Sequence, residues 1–231
     1  MHKTRSTQYA VRSTKKIITR QMVVTAGPTQ EPIDRVRFIS NPSTGEMGVE
    51  IAREAARRGW SVTLILGPTP IAVPRGLRVI RVRTAREMRG AVLRAVKTAR
   101  VLVMTAAVSD WRPARAVRGK MKRSAGPGLL RLVENPDILN SIPKRGGGRL
   151  WRVGFCLESG DFKREARRKL RDKKLDFIVA NRLGRNGGPF GQKPVTVWIL
   201  DRLGRSEWVR HAAKRKIARV VLNRLHGAMA E

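Results

Sequence analysis

The hydrophobic residues of this chain follow two spacings that alternate along its length. Short, continuous apolar runs predict buried strands, and they lie at 22–26, 61–66, 77–82, 101–107, 151–156, 176–180 and 195–200. Apolar residues three or four positions apart predict helices, and this spacing occurs at 47–58, 162–170 and 217–225. Thr84 and Glu87 form a capping box, which predicts a further helix from 84 to about 99. Strands that alternate with helices are typical of a mostly parallel sheet covered on both faces.

The pattern is weaker between residues 110 and 150. Residues 110–128 contain Gly, Pro and many polar side chains, which predicts a loop, and residues 129–133 alternate as a short strand would. Pro136 suits the first turn of a helix, so we expect a short helix that begins near Asp137.

The last predicted strand is followed by a turn at 201–204 and then by Trp208 and Val209, which predicts a hairpin. The predicted fold class is α/β: a three-layer α/β/α sandwich with a Rossmann-like, mostly parallel mixed sheet and a C-terminal hairpin. No internal repeat or long linker is visible, so residues 22–231 are expected to form a single domain. In such folds a ligand binds at the carboxyl ends of the parallel strands.

The chain is strongly basic: 50 Lys and Arg residues stand against 17 Asp and Glu residues, a formal net charge of +33. Such a surface attracts polyanions, so nonspecific affinity for nucleic acid is one expectation, and a basic nucleic-acid-binding protein on an α/β scaffold is the alternative function. An enzyme whose substrates are a phosphate ester and a nucleoside triphosphate would also use this charge. Only five Phe, five Trp and one Tyr are available for stacking on bases, which weighs against the alternative.

Residues 1–21 carry six basic residues and no acid. We interpret this segment as a disordered basic arm or as the result of a start codon placed too early, because it lacks the apolar helical face of an organellar transit peptide. The lone cysteine, Cys156, excludes an internal disulfide framework and fits a cytoplasmic protein. No apolar run approaches the roughly 18 residues of a membrane span, so no membrane association is expected.

A loop rich in small and hydroxyl residues precedes the first predicted helix. Ser43, Thr44 and Gly45 would leave backbone N–H groups free at the helix N-terminus, where the helix dipole favours an anion. These three residues are therefore a candidate anion-binding loop. An ordinary helix start has the same composition, and the Gly-Lys-Ser/Thr of a Walker A loop is missing, so the loop alone leaves both interpretations open.

Several sequence blocks occur in collinear order along the chain. They are 25–34 (TAGPTQEPID), 36–41 (VRFISN), 106–113 (AAVSDWRP), 119–123 (GKMKR), 134–139 (ENPDIL), 154–155 (GF), Lys169 with Lys173, and 179–181 (VAN). Together they resemble bacterial phosphopantothenate–cysteine ligases from about Met22 to Leu200. A single block of this kind can arise by coincidence, whereas the whole set in this order is specific for the family.

The resemblance implies a two-step ligase reaction of coenzyme A biosynthesis. The carboxylate of 4′-phosphopantothenate attacks the α-phosphate of CTP, which gives an acyl-cytidylate and pyrophosphate. The amine of L-cysteine then forms the amide and releases CMP. CTP is thus implied as a co-substrate with Mg²⁺ or Mn²⁺ as the metal ion, and no flavin is expected. The basic loop at 120–123 favours CTP over the ATP of eukaryotic relatives.

The resemblance also implies a homodimer. Many bacterial relatives carry a flavin-dependent decarboxylase ahead of the ligase domain, whereas about 21 residues precede the ligase motifs here. We therefore expect a stand-alone ligase, with a separate flavoprotein decarboxylase in the pathway.

By position in these blocks, the resemblance assigns Asn41, Lys120 and Arg37 to catalysis. Lys120 matches the catalytic lysine, and Asn41 matches the residue that takes the acyl-cytidylate onward. Arg37 matches a functional arginine that is suited to holding a phosphate or carboxylate. The CTP-binding residues implied in the same way are Asp110, Lys120, Asn135, Pro136, Asp137, Ile138, Phe155, Lys169 and Lys173. The metal ligands stay unknown.

These assignments have simpler alternatives. A lysine in so basic a chain is usually a solvated surface residue, Asn135 is suited to capping a helix, and Phe155 is suited to the core. The chain also departs from the family: Glu46 lies where relatives usually have Lys, Leu157 is bulkier than the usual Ala, and Arg182 replaces an acid. These changes affect the rim of the site more than the class of reaction.

Overall fold

The computed structural model describes residues 20–122, 129–143, 148–184, 191 and 193–231, so nearly all of the proposed basic arm lies outside the described residues. The strands are β1 (Gln21–Ala26), β2 (Gln30–Pro32), β3 (Phe38–Ser40), β4 (Ser61–Leu66), β5 (Arg78–Arg81), β6 (Val101–Met104), β7 (Trp111–Pro113), β8 (Leu132–Glu134), β9 (Trp151–Glu158), β10 (Phe177–Arg182), β11 (Val195–Asp201) and β12 (Ser206–Ala212). The helices are α1 (Glu46–Arg57), α2 (Ala85–Ala95), α3 (Phe162–Asp172) and α4 (Lys214–Ala230).

Eight of the described strands form the central sheet, in the order β12-β11-β10-β9-β6-β1-β4-β5. Neighbours from β10 to β5 are parallel; Val24 of β1, for example, lies between Leu64 of β4 and Val103 of β6. β11 is antiparallel to both β10 and β12. The mostly parallel mixed sheet and the C-terminal hairpin predicted from the sequence are therefore confirmed.

Each face of the sheet is covered by its own pair of helices. Successive residues of a strand point to opposite faces, so neighbouring residues of β1 belong to different core clusters. Val24 belongs to the core cluster that contains Ile51 of α1 and Ile217 of α4. Val23, its neighbour in the chain, belongs to the cluster under α2, and α3 packs further along the same face near Trp198. The α/β/α sandwich is thus confirmed.

Two short antiparallel ribbons lie outside the central sheet. β2 pairs with β3, and β7 pairs with β8. The Val117 N–H donates to the Ile33 carbonyl oxygen (2.9 Å) and the Arg35 N–H to the Gly119 carbonyl oxygen (3.4 Å), which joins the two ribbon regions. β2, β3 and β7 were not predicted from the sequence, because three-residue strands are too short to show a period.

The prediction of a short helix that begins near Asp137 is wrong, because residues 138–141 form a turn. The Asp137 carboxylate accepts from the Asn140 N–H (3.0 Å), and the Asp137 carbonyl oxygen accepts from the Ser141 N–H (3.0 Å). Pro143 follows at once and has no N–H with which to continue a helix.

The strand expected at 101–107 ends early, since β6 stops at Met104. Beyond it, Ala107 bonds with the turn that follows β1: its N–H donates to the Gly27 carbonyl oxygen (3.0 Å), and its carbonyl oxygen accepts from the Thr29 N–H (3.2 Å). The chain is therefore drawn across the carboxyl edge of the sheet.

Candidate functional site

A cavity of about 790 Å³ lies at the carboxyl ends of β6, β9 and β10. Its walls are the loop 41–48, the segments 104–111 and 134–139, residues 154–157 of β9 and one side of α3. This is the edge at which open α/β sheets bind their ligands. The cavity therefore lies where the fold class leads us to expect a ligand.

The loop before α1 passes so close to the end of β1 that only glycine fits at position 45. Gly45 has a φ of +77°, and a Cβ atom there would lie 2.9 Å from the Gly27 N atom. Glycine alone combines this left-handed conformation with the absence of a side chain. The close approach places the start of α1 directly at the cavity.

The first turn of α1 borders the cavity with its positive dipole end. The Ser43 hydroxyl oxygen lies 3.3 Å from the Gly45 N–H nitrogen, and the Thr44 hydroxyl oxygen lies 3.5 Å from that of Glu46. Gly45, at the N-cap position, has no side chain with which to cap the helix. The loop that was predicted to bind an anion therefore lines the cavity.

Asn41 connects this loop to the opposite wall. Its side-chain amide donates to the carbonyl oxygens of Ala107 (3.2 Å) and Val108 (3.3 Å). The amide therefore has a defined orientation at the cavity surface, between the start of α1 and the segment that carries Asp110.

The segments that contain Asp110 and Asn135 are held together by hydrogen bonds. The Asn135 N–H donates to the Asp110 carbonyl oxygen (2.7 Å), and its side-chain amide donates to the Ser109 carbonyl oxygen (2.9 Å). Residues 135–138 and Asp110 consequently line one wall. Because residues 138–141 form a turn, Asn135 does not cap a helix there.

α3 contributes two lysines to the cavity wall, as their spacing of four residues predicts. The Lys169 Nζ atom lies 2.5 Å from the Glu158 Oε1 atom, and Lys173 pairs with Asp137. Both ammonium groups thus face the cavity from the side of the sheet that α2 and α3 cover.

β9 brings Phe155, Cys156 and Leu157 to the cavity. Phe155 also packs against the core cluster of α1 and α4, so it belongs to the core and lines the cavity. Burial, followed by the charge of Glu158, raises the pKa of the Cys156 thiol to about 12. A thiol with this pKa is protonated near neutral pH, which weighs against a nucleophilic role for Cys156.

Comparison with known families decides where this chain belongs. Residues 17–229 match the family of DNA/pantothenate metabolism flavoprotein C-terminal domains. The chain belongs to this family. The Coenzyme A biosynthesis bifunctional protein CoaBC of Mycobacterium bovis is 41% identical over 210 residues, which are 86% of this chain and 50% of that relative. The chain thus spans about half the length of the curated relatives it matches.

Solved structures share the fold. The C-terminal domain of a Coenzyme A biosynthesis bifunctional protein CoaBC superposes with a TM-score of 0.76 and 29% identity, covering 91% of this chain and 95% of that domain. A mutant of Cab2 in complex with phosphopantothenate-cysteine superposes with a TM-score of 0.73 and 18% identity, covering 91% and 87%. At 18% identity, the similarity to Cab2 shows a shared fold alone.

Two of the residues assigned to catalysis, Arg37 and Lys120, do not line the cavity. The Arg37 Nη1 atom lies 2.8 Å from the Asp34 Oδ2 atom, which also accepts from the Met121 N–H (3.1 Å). Backbone N–H bonds from Arg37 and Val36 lower the pKa of Asp34 to about 2. Asp34 therefore holds the neighbour of Lys120 against the β2–β3 ribbon, and Lys120 itself is exposed.

Lys214, the first residue of α4, lines the cavity with Asn181 and Val195 but was not predicted from the sequence as a site residue. Its side chain is 7% exposed and pairs with Glu46 of α1. One signal was present in the sequence: a lysine at the start of a helix opposes the helix dipole, which is unfavourable unless a nearby anion compensates.

Two features are absent from the described ranges. These ranges contain no group of three or more His, Cys, Asp or Glu side chains arranged to hold a metal ion. They also contain no helix with the length and apolar character that crossing a membrane requires.

Proposed function

We propose that this chain joins 4′-phosphopantothenate to L-cysteine with CTP as the energy source, as a ligase of coenzyme A biosynthesis. One observation carries the proposal: the cavity collects nearly all of the residues expected to bind the nucleotide, from Asp110 and 135–138 to Phe155, Lys169 and Lys173. Family membership supports it, as do relatives named for coenzyme A biosynthesis and the shared fold of Cab2, whose solved complex contains phosphopantothenate-cysteine.

In this proposal the triphosphate lies between two positive walls. Lys169 and Lys173 face the cavity from α3, and the N-terminus of α1 faces it from the other side of the sheet. Positive groups on both sides lower the repulsion between the triphosphate and the incoming carboxylate. Attack of that carboxylate on the α-phosphate then gives the acyl-cytidylate and pyrophosphate.

Asn41 is proposed to act in the second step. When the cysteine amine attacks the acyl carbonyl, negative charge develops on the carbonyl oxygen. The Asn41 amide donates to backbone carbonyl oxygens at the cavity surface and is placed to donate to that oxygen instead. A donor that stabilises developing charge accelerates the step in which the charge forms.

We further propose that Mg²⁺ or Mn²⁺ accompanies the nucleotide. Mg²⁺ in nucleotide enzymes commonly takes one or two protein carboxylates, with phosphate oxygens and waters as its other ligands. Asp110 and Glu134 line the cavity and suit this ligand set, although the described residues form no group of three. The ion would neutralise further charge on the phosphates.

A homodimer is proposed through the β2–β3 and β7–β8 ribbons. Large apolar side chains are exposed there, including Val36 (59%), Phe38 (43%), Trp111 (48%) and Leu132 (41%). A group of large exposed apolar side chains is typical of an interaction site. Arg37 and Lys120 belong to the same region, so dimer contacts would set their positions relative to the two cavities.

The net charge of +33 supports nonspecific nucleic-acid binding as a second property. Exposed basic residues occur along the whole described part of the chain, and those on α3 and α4 include Arg164, Arg167, Arg171, Arg215 and Lys216. We expect filter binding of RNA to weaken steeply as salt is raised, because binding releases counterions. Absence of binding at low salt would exclude this property.

The ligase proposal is tested by pyrophosphate release with 4′-phosphopantothenate, L-cysteine and Mg²⁺, run in parallel with CTP and with ATP. We expect release that requires 4′-phosphopantothenate and CTP, with CMP formed only when cysteine is present. Equal rates with ATP would contradict the preference for CTP. No release with either nucleotide would contradict the ligase.

A further inference from the structure

Lys214 and Glu46 form an ion pair in the wall of the cavity. The Lys214 Nζ atom lies 2.8 Å from the Glu46 Oε2 atom and also donates to the Gly191 carbonyl oxygen. The Lys214 side chain is 7% exposed and that of Glu46 is 21% exposed. Each residue is the first of its helix, α4 and α1 respectively.

The lysine lies where helix electrostatics disfavours it. The N-terminus of a helix is positive, so Glu46 suits its position and Lys214 does not. The first turn of α4 contains two further cations, Arg215 and Lys216, and no acid, and Ala213 provides no side-chain cap. Arg215 and Lys216 are exposed to water, whereas Lys214 is buried against the cavity.

The strand directions explain why two helix N-termini meet there. β12 is antiparallel to β11, which is antiparallel to β10, so β12 runs in the same direction as the parallel strands. α4 follows β12 and therefore begins at the same carboxyl edge as α1. The positive ends of two helices and a buried ammonium group converge at this point, and the Glu46 carboxylate is the anion that contacts Lys214.

This positive site is separate from the lysines of α3. α1 and α4 cover one face of the sheet, and α3 covers the other. Lys169 and Lys173 pair with Glu158 and Asp137 on the α3 side, whereas Lys214 pairs with Glu46 on the α1 side. The cavity thus has a cationic group on each face of the sheet.

We propose that Lys214 binds a phosphate group of a substrate and that this phosphate takes the place of the Glu46 carboxylate on the Lys214 ammonium group. A phosphate carries more charge than a carboxylate and can accept from Lys214 and from the first turn of α1 at once. Glu46 is partly exposed, so its carboxylate can return to water when it is displaced. The identity of the substrates rests on the proposed function, whereas the phosphate chemistry of the site does not.

The test is isothermal titration calorimetry on the full chain with three ligands measured separately: CTP with Mg²⁺, 4′-phosphopantothenate, and inorganic tripolyphosphate. Lys214→Met should weaken the ligand bound by Lys214 about tenfold or more, since one hydrogen bond to a charged group is lost. Glu46→Gln should tighten the same ligand, because a competing anion is removed. A change confined to CTP and tripolyphosphate assigns Lys214 to the triphosphate, and one confined to 4′-phosphopantothenate assigns it to the phosphate monoester.

Ligand affinity should fall in Lys214→Met and rise in Glu46→Gln, and this difference in direction distinguishes phosphate binding from a purely structural ion pair. A structural pair would lower the melting temperature in both variants and leave every affinity unchanged, which would overturn the inference.

Lys216→Met on α4 and Glu50→Gln on α1 are matched controls outside the cavity, and Lys214→Arg should recover most of the affinity. If Lys214→Met does not fold, Glu46→Gln decides by itself, since unchanged affinities would overturn the proposal. Binding of tripolyphosphate needs no turnover, so failure of the ligase assay and failure of this inference are distinguishable.

Discussion

Lys173 of α3 forms an ion pair with Asp137, and both side chains line the cavity. Asp137 also accepts from the Asn140 N–H, so its carboxylate orients both the lysine and the turn at 138–141. This pair connects α3 to the segment that was expected to hold the nucleotide. The lysine is thereby positioned before any ligand binds.

Lys173→Met should raise the KM for CTP by about ten- to a hundredfold, because a charge-assisted bond to a phosphate is lost. The measurement is steady-state kinetics with CTP varied and the other substrates saturating. Lys174→Met is the control, because Lys174 is exposed and lies outside the cavity. An unchanged KM in Lys173→Met would remove Lys173 from the nucleotide site.

Asn41→Asp should slow amide formation by about a hundredfold, because a donor at the developing oxyanion is replaced by an anion. Pyrophosphate release in the first turnover should persist, and the acyl-cytidylate should accumulate. Rapid quench followed by chromatography detects the intermediate. Asn223→Asp on the exposed side of α4 is the control. Loss of pyrophosphate release in step with CMP would contradict a role in the second step alone.

Lys120→Gln should suppress the first step, with pyrophosphate release falling by about a hundredfold or more if the lysine stabilises the charge that develops there. The same assay measures it, and Lys122→Gln is a matched control on the same exposed segment. Wild-type release in Lys120→Gln would show that the catalytic assignment of Lys120 is wrong. The position of Lys120 outside the cavity lining makes this experiment decisive.

Gly45→Ala should destabilise the fold by about 2–4 kcal/mol, because strain at a φ of +77° adds to a contact of 2.9 Å with the Gly27 N atom. Gly59→Ala is the control: its φ is +80°, and no heavy atom lies within 4 Å of the added Cβ. That variant should lose only about 1 kcal/mol. Chemical denaturation measures both, and equal losses would show that the close approach is not tight.

Asp34→Asn should destabilise the protein near neutral pH, and the difference from wild type should shrink in acid. The pKa of Asp34 is lowered from 3.8 to about 2, so the folded state takes up its proton less readily than the unfolded chain. The stabilisation is therefore present above a pH of about 4 and is lost as the pH falls towards 2. Denaturation curves at several pH values test this, and a difference that does not change with pH would contradict it.

Most of the central sheet and its helices could be predicted because their patterns are long and local. β4 has the bounds expected from its apolar run, and β1 and α1 differ from expectation by one residue at an end. Thr84 caps α2 as predicted, accepting from the Glu87 N–H (3.2 Å). Each of these signals lies within one element and needs no knowledge of its neighbours.

The errors lie where distant parts of the chain meet. β6 ends at Met104 because Ala107 bonds with the turn after β1. Asp137 begins a turn, and its carboxylate pairs with a lysine 36 residues later. Neither bond has a periodic signal in the sequence, so neither could be predicted from one segment.

The sequence by itself determined the class of fold, its layers and the order of the motifs, because apolar spacing and backbone conformation are local properties. It also placed Asn41, Asp110 and Lys169 in motifs whose side chains line one cavity. Only the tertiary structure decided that Lys214 joins them, 168 residues after Glu46, and that Arg37 and Lys120 lie outside the cavity lining. Those positions depend on strand order and helix packing, which set the distances between residues that the sequence keeps far apart.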